Sequence, residues 1–289
     1  MFMQQAMAGL SSGSSYALLA LGLALIFITS GILNFAQGEM AMVSSFVAYT
    51  FMVGLQFPFW LSVLATLIFA AIFGILVERI VIRPLLGAPV LSIVIATLGL
   101  NIFFNNIAKN IWGSGSYSFP TPISNESITV FGVSVSPINI VVIGVTLVMM
   151  LLLFLFLKFS RLGIALRATA QEHNIAILMG VRPATIYRLT WMMGSMLGAL
   201  AGVLLAPIIF LDTNMMVSIL IKAFAGAVLG GLGSLPGVVI GGMGLGVMEN
   251  LVAAYIHSGM KEALALVVII AVLLIRPNGL FGKRSQRKV

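Results

Sequence analysis

KFSRLGIALRATAQEHNIAILMGVRPATIYR, residues 158–188, separates two strongly apolar runs at roughly 137–157 and 189–210. It is polar and basic, in a chain of 289 residues of which 61% are hydrophobic and only 8% charged. A soluble domain carries about a quarter charged residues, so this chain cannot cover a soluble surface. Its apolar runs are instead long enough to cross a bilayer as helices, which takes about 20 residues each. The 158–188 segment stays outside lipid, and a membrane protein that keeps a basic helix there is displaying it. Gly163 and Gly180 bracket that helix. Ile164, Ala168, Ile175 and Leu178 share one face at helical spacing, with Arg167, Gln171 and Asn174 away from it. Gly180 follows Leu178 and Met179, where a left-handed C-cap glycine belongs. Pro183 suits the first turn of a following helix. The simplest alternative is a surface helix lying in the headgroup layer.

Working outward, apolar runs fall at roughly 9–30, 38–55, 59–82, 90–111, 137–157, 189–210, 216–233, 236–256 and 261–275. Twelve of the fifteen basic residues form three groups: Arg79 and Arg83; Lys158, Arg161, Arg167, Arg182 and Arg188; Arg276, Lys283, Arg284, Arg287 and Lys288. Basic loops stay on the cytoplasmic side. These three places are therefore read as cytoplasmic, the Pro/Ser/Gly-rich loop 112–136 as external, the N-terminus as outside and the C-terminus as inside. The net charge of +8 has the same origin and does not argue for nucleic acid. The first Lys or Arg is Arg79, so the first run reads as a retained span, not a cleaved leader. There is no Cys, hence no disulfide framework, thiolate zinc site or Cys nucleophile. One His in each of two loops, His173 and His257, makes no metal site, and no cofactor is expected.

The expected fold is an all-α polytopic bundle, a single transmembrane domain over 1–289 with about 8–9 spans. The stretches near 31–45 and 226–246 are interrupted by Gly and polar residues. Unsatisfied backbone is costly in lipid, so such segments are predicted to be broken or re-entrant and sheltered by protein or water. Gly194, Gly198 and Gly202 recur four apart, as do Gly226 with Gly230, Gly237 with Gly241, and Gly242 with Gly246. Stripes of this kind let two helix backbones approach closely.

Four stretches carry a family resemblance: GIALRATAQEHNIAILMGV (163–181), YALLALGLALIFITSGILNFAQGEMAMV (16–43), FAGAVLGGLGSLPGVVIGGMGLGVMEN (224–250) and VLLIRPNGLFG (272–282). The first resembles the cytoplasmic coupling loop of ABC importer permeases. Together they resemble, nearly end to end, the branched-chain amino acid permease family, in the shorter of its two permease types. Gln37 stands where many members carry His. The resemblance implies one transmembrane subunit of an importer in a bacterial inner membrane. It also implies a second, related permease, two cytoplasmic ABC ATPase subunits, and an external solute-binding protein that delivers Leu, Ile or Val. The residues that match the coupling loop are Arg167, Ala168, Ala170, Glu172, Asn174, Ala176, Met179 and Gly180. They are expected to seat in an ATPase groove within the loop 158–188. The chain has no GxxxxGK[ST] phosphate loop, so it is not itself the ATPase.

An amino acid with an apolar side chain and a zwitterionic end needs an apolar path with a few dipoles. Broken helices supply them through free N–H groups. Thr29, Ser30, Gly31, Asn34, Phe35, Gln37 and Gly38 form one such break, and Gly230, Gly231, Gly233, Ser234, Pro236 and Gly237 another. Both are expected to line the path, with Asn101, Asn105 and Asn106 adding amides. Glu39 opens the next apolar run, either capping a helix or touching substrate. Glu249 and Asn250 lie late in their run and mark an interface or the external mouth. Other readings are a permease for urea or short amides on the same framework, and an ion-coupled transporter using Glu39 or Glu249. Weaker ones are a channel, and an intramembrane protease using Ser12 or Ser92 with His257.

Overall fold

The computed structural model describes residues 2–123, 128–130, 133–171 and 173–282. Lys283, Arg284, Arg287 and Lys288 of the third basic group lie outside them. The described chain is helical apart from one short hairpin. Its helices are α1 (Phe2–Ser30), α2 (Gln37–Tyr49), α3 (Phe59–Val77), α4 (Val90–Trp112), α5 (Pro137–Phe159), α6 (Arg161–Gln171), α7 (His173–Leu178), α8 (Pro183–Ile209), α9 (Val217–Gly230), α10 (Leu235–Tyr255) and α11 (Met260–Ile275). The loop between α4 and α5 holds the hairpin, β1 (Ile128–Val130) antiparallel to β2 (Val133–Val135).

Each apolar run became a helix, and prolines set several of the starts. Pro58 and Pro89 immediately precede α3 and α4, Pro137 and Pro183 open α5 and α8, and Pro236 is the second residue of α10. Proline's fixed φ suits a first helical turn, where its missing N–H has no intrahelical partner to lose. This is why α8 begins at Pro183, earlier than the apolar run alone suggests. Among the described residues, six helices are long and apolar enough to cross a membrane: α1, α3 with its continuation to Leu85, α4, α5, α8 and α10. By contrast α2, α9 and α11 have 13, 14 and 16 residues. A π-helical turn over Thr50–Gly54 prolongs α2.

The chain divides into two compact units. One comprises residues 1–24, 123–147 and 218–289, the other residues 25–122 and 148–217. In the first unit, the N-terminal part of α1 runs antiparallel to α10. A Cβ on Gly9 would come 2.7 Å from Val247 Cα, one on Gly13 2.7 Å from Met243 Cα, and one on Gly242 2.9 Å from Ala17 Cα. α9 also lies antiparallel to α10, with Gly226 against Gly242 and Gly230 against Gly237. Ala225, Leu245, Ala265 and Val268 bring α9, α10 and α11 together in an apolar cluster. The glycine spacings thus act as backbone contact surfaces, where van der Waals packing holds helices that lipid would not drive together.

In the second unit α2 is the centre, buried along nearly its whole length among α3, α4 and α8. Gly74 of α3 meets the backbone of Trp191 and the side chain of Ser195 on α8. Arg83, just past α3, donates to both carboxylate oxygens of the buried Glu78 at 3.1 and 3.0 Å and to the Ala184 carbonyl at 3.3 Å. This fastens the end of α3 to the start of α8.

The displayed segment departs from the expectation in two ways. It is two helices, α6 and α7, and Gly163 lies inside α6 instead of bracketing it. Ser160 is the N-cap, its Oγ accepting from Gly163 N at 2.8 Å. Gly163 presses on the backbone of α5, where a Cβ would lie 2.6 Å from Leu157 Cα. The buried face is therefore Gly163, Leu166, Thr169 and Ala176, while Ile164 and Leu178 are exposed. The close backbone approach at Gly163, not the largest apolar side chains, sets the rotation of α6.

Gly242→Leu is expected to force α1 and α10 apart and to destabilise the first unit by roughly 1–3 kcal/mol, the usual cost of overpacking. The thermal midpoint of the purified protein checks this, with Gly244→Leu, where a Cβ meets nothing within 4 Å, as the neutral control.

Candidate functional site

The interruption after α1 is a true break. Gly31 has φ +67°, a left-handed conformation that costs glycine little, and the chain stays non-helical until Gln37. Backbone groups freed by a break inside an apolar bundle need partners, and the polar residues of the break supply them. Ser30 Oγ donates to Ile26 O at 2.7 Å and accepts from Ile32 N at 3.3 Å. Asn34 Oδ1 accepts from Ala36 N at 3.0 Å, and its Nδ2 donates to Gln37 Oε1 at 3.1 Å. Gln37 Nε2 donates to Gly194 O of α8 at 2.7 Å. Asn101 Nδ2 of α4 donates to Phe35 O at 3.3 Å. Thr29 Oγ1 donates to Thr190 Oγ1 of α8 at 3.2 Å. Asn34 and Gln37 are fully enclosed.

The break lies deep in its unit. Gly194 is eleven residues past Pro183, the start of α8, and Asn101 eleven past Val90, the start of α4. At about 1.5 Å per residue each is ~16 Å along its helix, close to the middle of the 23-residue α4 and of the 27-residue α8. From the helix ends near Arg83 and Arg182, a cleft of about 430 Å³ reaches the break, lined by Ser30, Gly31, Ile32, Gly87, Pro183 and Tyr187 among others. Glu39 is in the first turn of α2, where the helix dipole favours a carboxylate. It is buried, and Asn105 Nδ2 bridges its Oε2 at 3.2 Å and the Thr213 carbonyl at 2.7 Å. Asn106 does not join the break; its amide returns to Ile102 O of its own helix.

The second interruption, in the other unit, is closed differently. Ser234 caps α10, its Oγ accepting from Gly237 N at 3.2 Å. The segment after α11 folds back over the break: Leu280 N donates to Leu229 O at 2.9 Å and Phe281 N to Gly230 O at 3.1 Å. A Cβ on Gly231 would lie 2.7 Å from Asn278 O. The RPNGLFG ending thus satisfies the last carbonyls of α9. Its signal in the sequence is the return of Gly279 and Gly282 after Pro277. Gly233 is open, with nothing within 4 Å of a Cβ.

In the displayed segment Gly180 has φ +84°, Gly180 N donates to Ile177 O at 2.9 Å and Val181 N to Ala176 O at 3.0 Å. This is the paired hydrogen bonding of a Schellman C-cap. It leaves Leu178 and Met179 projecting, 85% and 80% exposed. Arg167 is exposed and Nη2 donates to Lys158 O at 3.4 Å, Ala168 and Ala170 are half-buried, and Ala176 is buried. Asn174 is placed only by its backbone in α7, and Glu172 lies outside the described residues.

Two further charges sit together in the first unit: Lys222 Nζ donates to Glu249 Oε1 at 2.6 Å, both side chains buried. Sequence reasoning left Glu249 at an interface or mouth and did not single out Lys222. The signal was there, as lone opposite charges in otherwise uncharged runs. Asn250 Nδ2 donates back to Gly246 O. His257 is exposed at the α10–α11 turn with Nδ1 accepting from Gly259 N, and Ser12 Oγ donates to Ala8 O. Neither is arranged as a nucleophile with its base.

Apolar helices of membrane length, with polar side chains gathered at a helix break, define a polytopic membrane permease. The chain belongs to the family described as branched-chain amino acid transport system, permease component, whose model matches residues 5–275. It is 34% identical to the high-affinity branched-chain amino acid transport system permease protein LivH of Salmonella typhimurium over 100% of this chain and 98% of the relative. It is 33% identical to LivH of Escherichia coli K12, with the same coverage. It is 35% identical to BraD of Pseudomonas aeruginosa, again over 100% of this chain and 98% of the relative. No solved structure matches the chain.

Gln37→Leu keeps the side chain's approximate size but strands the Gly194 carbonyl and the Asn34 amide. It is expected to cost about 1–3 kcal/mol for buried groups left unpaired, measured as a fall in denaturation midpoint relative to wild type.

Proposed function

We propose that this chain is the transmembrane permease subunit of an ATP-driven importer for leucine, isoleucine and valine, forming half of the translocation path. The observation that carries the reading is the α1–α2 break: amide side chains held at mid-length of α4 and α8, in a segment whose first residues, Ser30, Gly31 and Ile32, line a cleft. A path for a small zwitterion needs such dipoles in an apolar surround, and a solute must be able to leave them. Thr29, Gly31, Asn34, Phe35, Gln37, Gly38 and Glu39 line it on this reading. Gly231, Gly233, Ser234 and Pro236 form its second polar element, tied down by the 278–282 segment. The names of the relatives support the substrate. Urea or a short amide on the same framework is the alternative.

On this reading the chain is a single transmembrane domain of about 8–9 spans in a bacterial inner membrane. The N-terminus is outside, the loop 112–136 external, and the C-terminus cytoplasmic. α2 and α1 meet at the break, so that α1 enters and the 13-residue α2 returns from the break without crossing in full. A second, related permease, an external solute-binding protein and two cytoplasmic ATPase subunits complete the machine, and hydrolysis belongs to those ATPases. The loop 158–188 couples them: Leu178 and Met179, projected by the Gly180 cap, seat in the ATPase, with Arg167, Ala168, Ala170, Glu172, Asn174 and Ala176 shaping the contact. Exposed apolar tips on a basic face support a protein partner over a merely solvated loop.

Leu178→Asp with Met179→Asp is expected to abolish co-purification of the ATPase subunits while the permease still inserts and folds. Equal recovery of ATPase with the variant would sink the coupling assignment. Asn34→Ala is expected to slow leucine uptake in proteoliposomes at unchanged assembly. Unaltered rate and specificity in both Asn34→Ala and Ser234→Ala would remove these breaks from the path.

A further inference from the structure

Lys222 of α9 and Glu249 of α10 are buried charges inside apolar helices and belong to neither the break nor the displayed loop. A buried ion pair is weak evidence for stability, since apolar residues of similar volume often serve as well or better. Ionisable residues within a membrane bundle are functional candidates by default. The geometry of this pair adds a specific clue. Glu249 Oε1 accepts from Lys222 Nζ at 2.6 Å, but Glu249 Oε2 is buried and accepts no hydrogen bond. The Lys222 ammonium has three donors; it gives one to Glu249, and the face of Tyr16 lies 5.7 Å away. The ammonium thus keeps N–H donors beyond the one it gives to Glu249, and Glu249 Oε2 meets no donor within hydrogen-bond distance, with Tyr16 also facing the carboxylate.

That is the complement of a zwitterion. We infer that Lys222 and Glu249 form a second station on the path, Lys222 taking the carboxylate and Glu249 the ammonium of an α-amino acid in transit, an assignment that rests on the permease reading above. When empty, the ammonium and one carboxylate oxygen hold one another. When a zwitterion arrives, one ion pair is exchanged for two of the same chemistry. The cost of opening the internal pair offsets part of the gain, as transient holding demands. Lysine's long flexible stem lets the ammonium swing off its partner while remaining near it. Tyr16 supplies an aromatic wall on which a cation is still favoured. A neutral amide or urea offers no charge to either partner and leaves the pair shut.

The test uses the full transporter in proteoliposomes, with radiolabelled L-leucine as probe. The variant K222M/E249Q removes both charges at similar volume, so that no buried charge is left unpaired. Assembly and basal ATP hydrolysis are expected to persist, while leucine uptake falls by roughly tenfold or more, the effect of losing charge-assisted contacts. In wild type, leucine uptake is expected to be competed poorly by leucinamide, which lacks the carboxylate, and by 4-methylpentanoate, which lacks the ammonium. Uptake by K222M/E249Q within about twofold of wild type would overturn the inference and leave the permease reading standing. Absence of leucine uptake by the wild-type complex would overturn both. Should K222M/E249Q fail to fold, the swap K222E/E249K preserves the pair with reversed polarity. It is expected to fold and still not transport. Wild-type uptake by the swap, or failure of both variants to fold, assigns the pair a structural role and overturns the inference.

Discussion

Backbone hydrogen bonding inside an apolar bundle is the constraint on which the rest of this structure depends. A continuous helix meets it automatically; a broken one must find partners for every N–H and C=O it releases. The two breaks solve that problem in different ways. After α1, the side chains of Ser30, Asn34 and Gln37 fold back on their own segment, and Gln37 and Asn101 tie it to α8 and α4. After α9, the chain's own ending supplies the donors through Leu280 and Phe281. The polar residues proposed to line the path are the same ones that make the breaks tolerable, so on that reading position and chemistry are fixed together.

Helix packing follows a second rule that the same constraint imposes. Lipid gives no hydrophobic incentive for helices to associate, so contact must come from close van der Waals fit. The glycines of α1, α9 and α10 provide it in the first unit, with backbones against backbones. Gly163 provides it for α6, which explains why this small helix turns the larger apolar side chain of Ile164 outward. The displayed loop is thus braced by backbone fit and leaves its apolar tips free.

Charge is used sparingly, and each buried acid among the described residues, Glu39, Glu78 and Glu249, has a partner. Glu78 is neutralised by Arg83 through two hydrogen bonds, and that arginine also holds the start of α8. Glu39 sits in the first turn of α2 with the Asn105 amide. Lys222 and Glu249 neutralise each other between α9 and α10. In a medium of low dielectric an unpaired charge costs several kcal/mol, so each acid in these helices also reports which helices meet.

Much was legible in the sequence because its causes are local. Run length gave the helices, Gly31 and Gly231 gave the breaks, and Met179-Gly180 followed by Pro183 gave the cap and the restart. Family membership was legible too, through motifs spread along the chain, and the relatives bear it out. What only the tertiary structure decided concerns residues far apart in sequence. Examples are the rotation of α6 set by Leu157, the cover of Gly230 by Phe281, the reach of Gln37 to Gly194, and the pairing of Lys222 with Glu249. Periodicity reports that a helix has an apolar side, but not which neighbour's backbone comes close enough to claim it. In a chain apolar on nearly every face, that choice falls to packing.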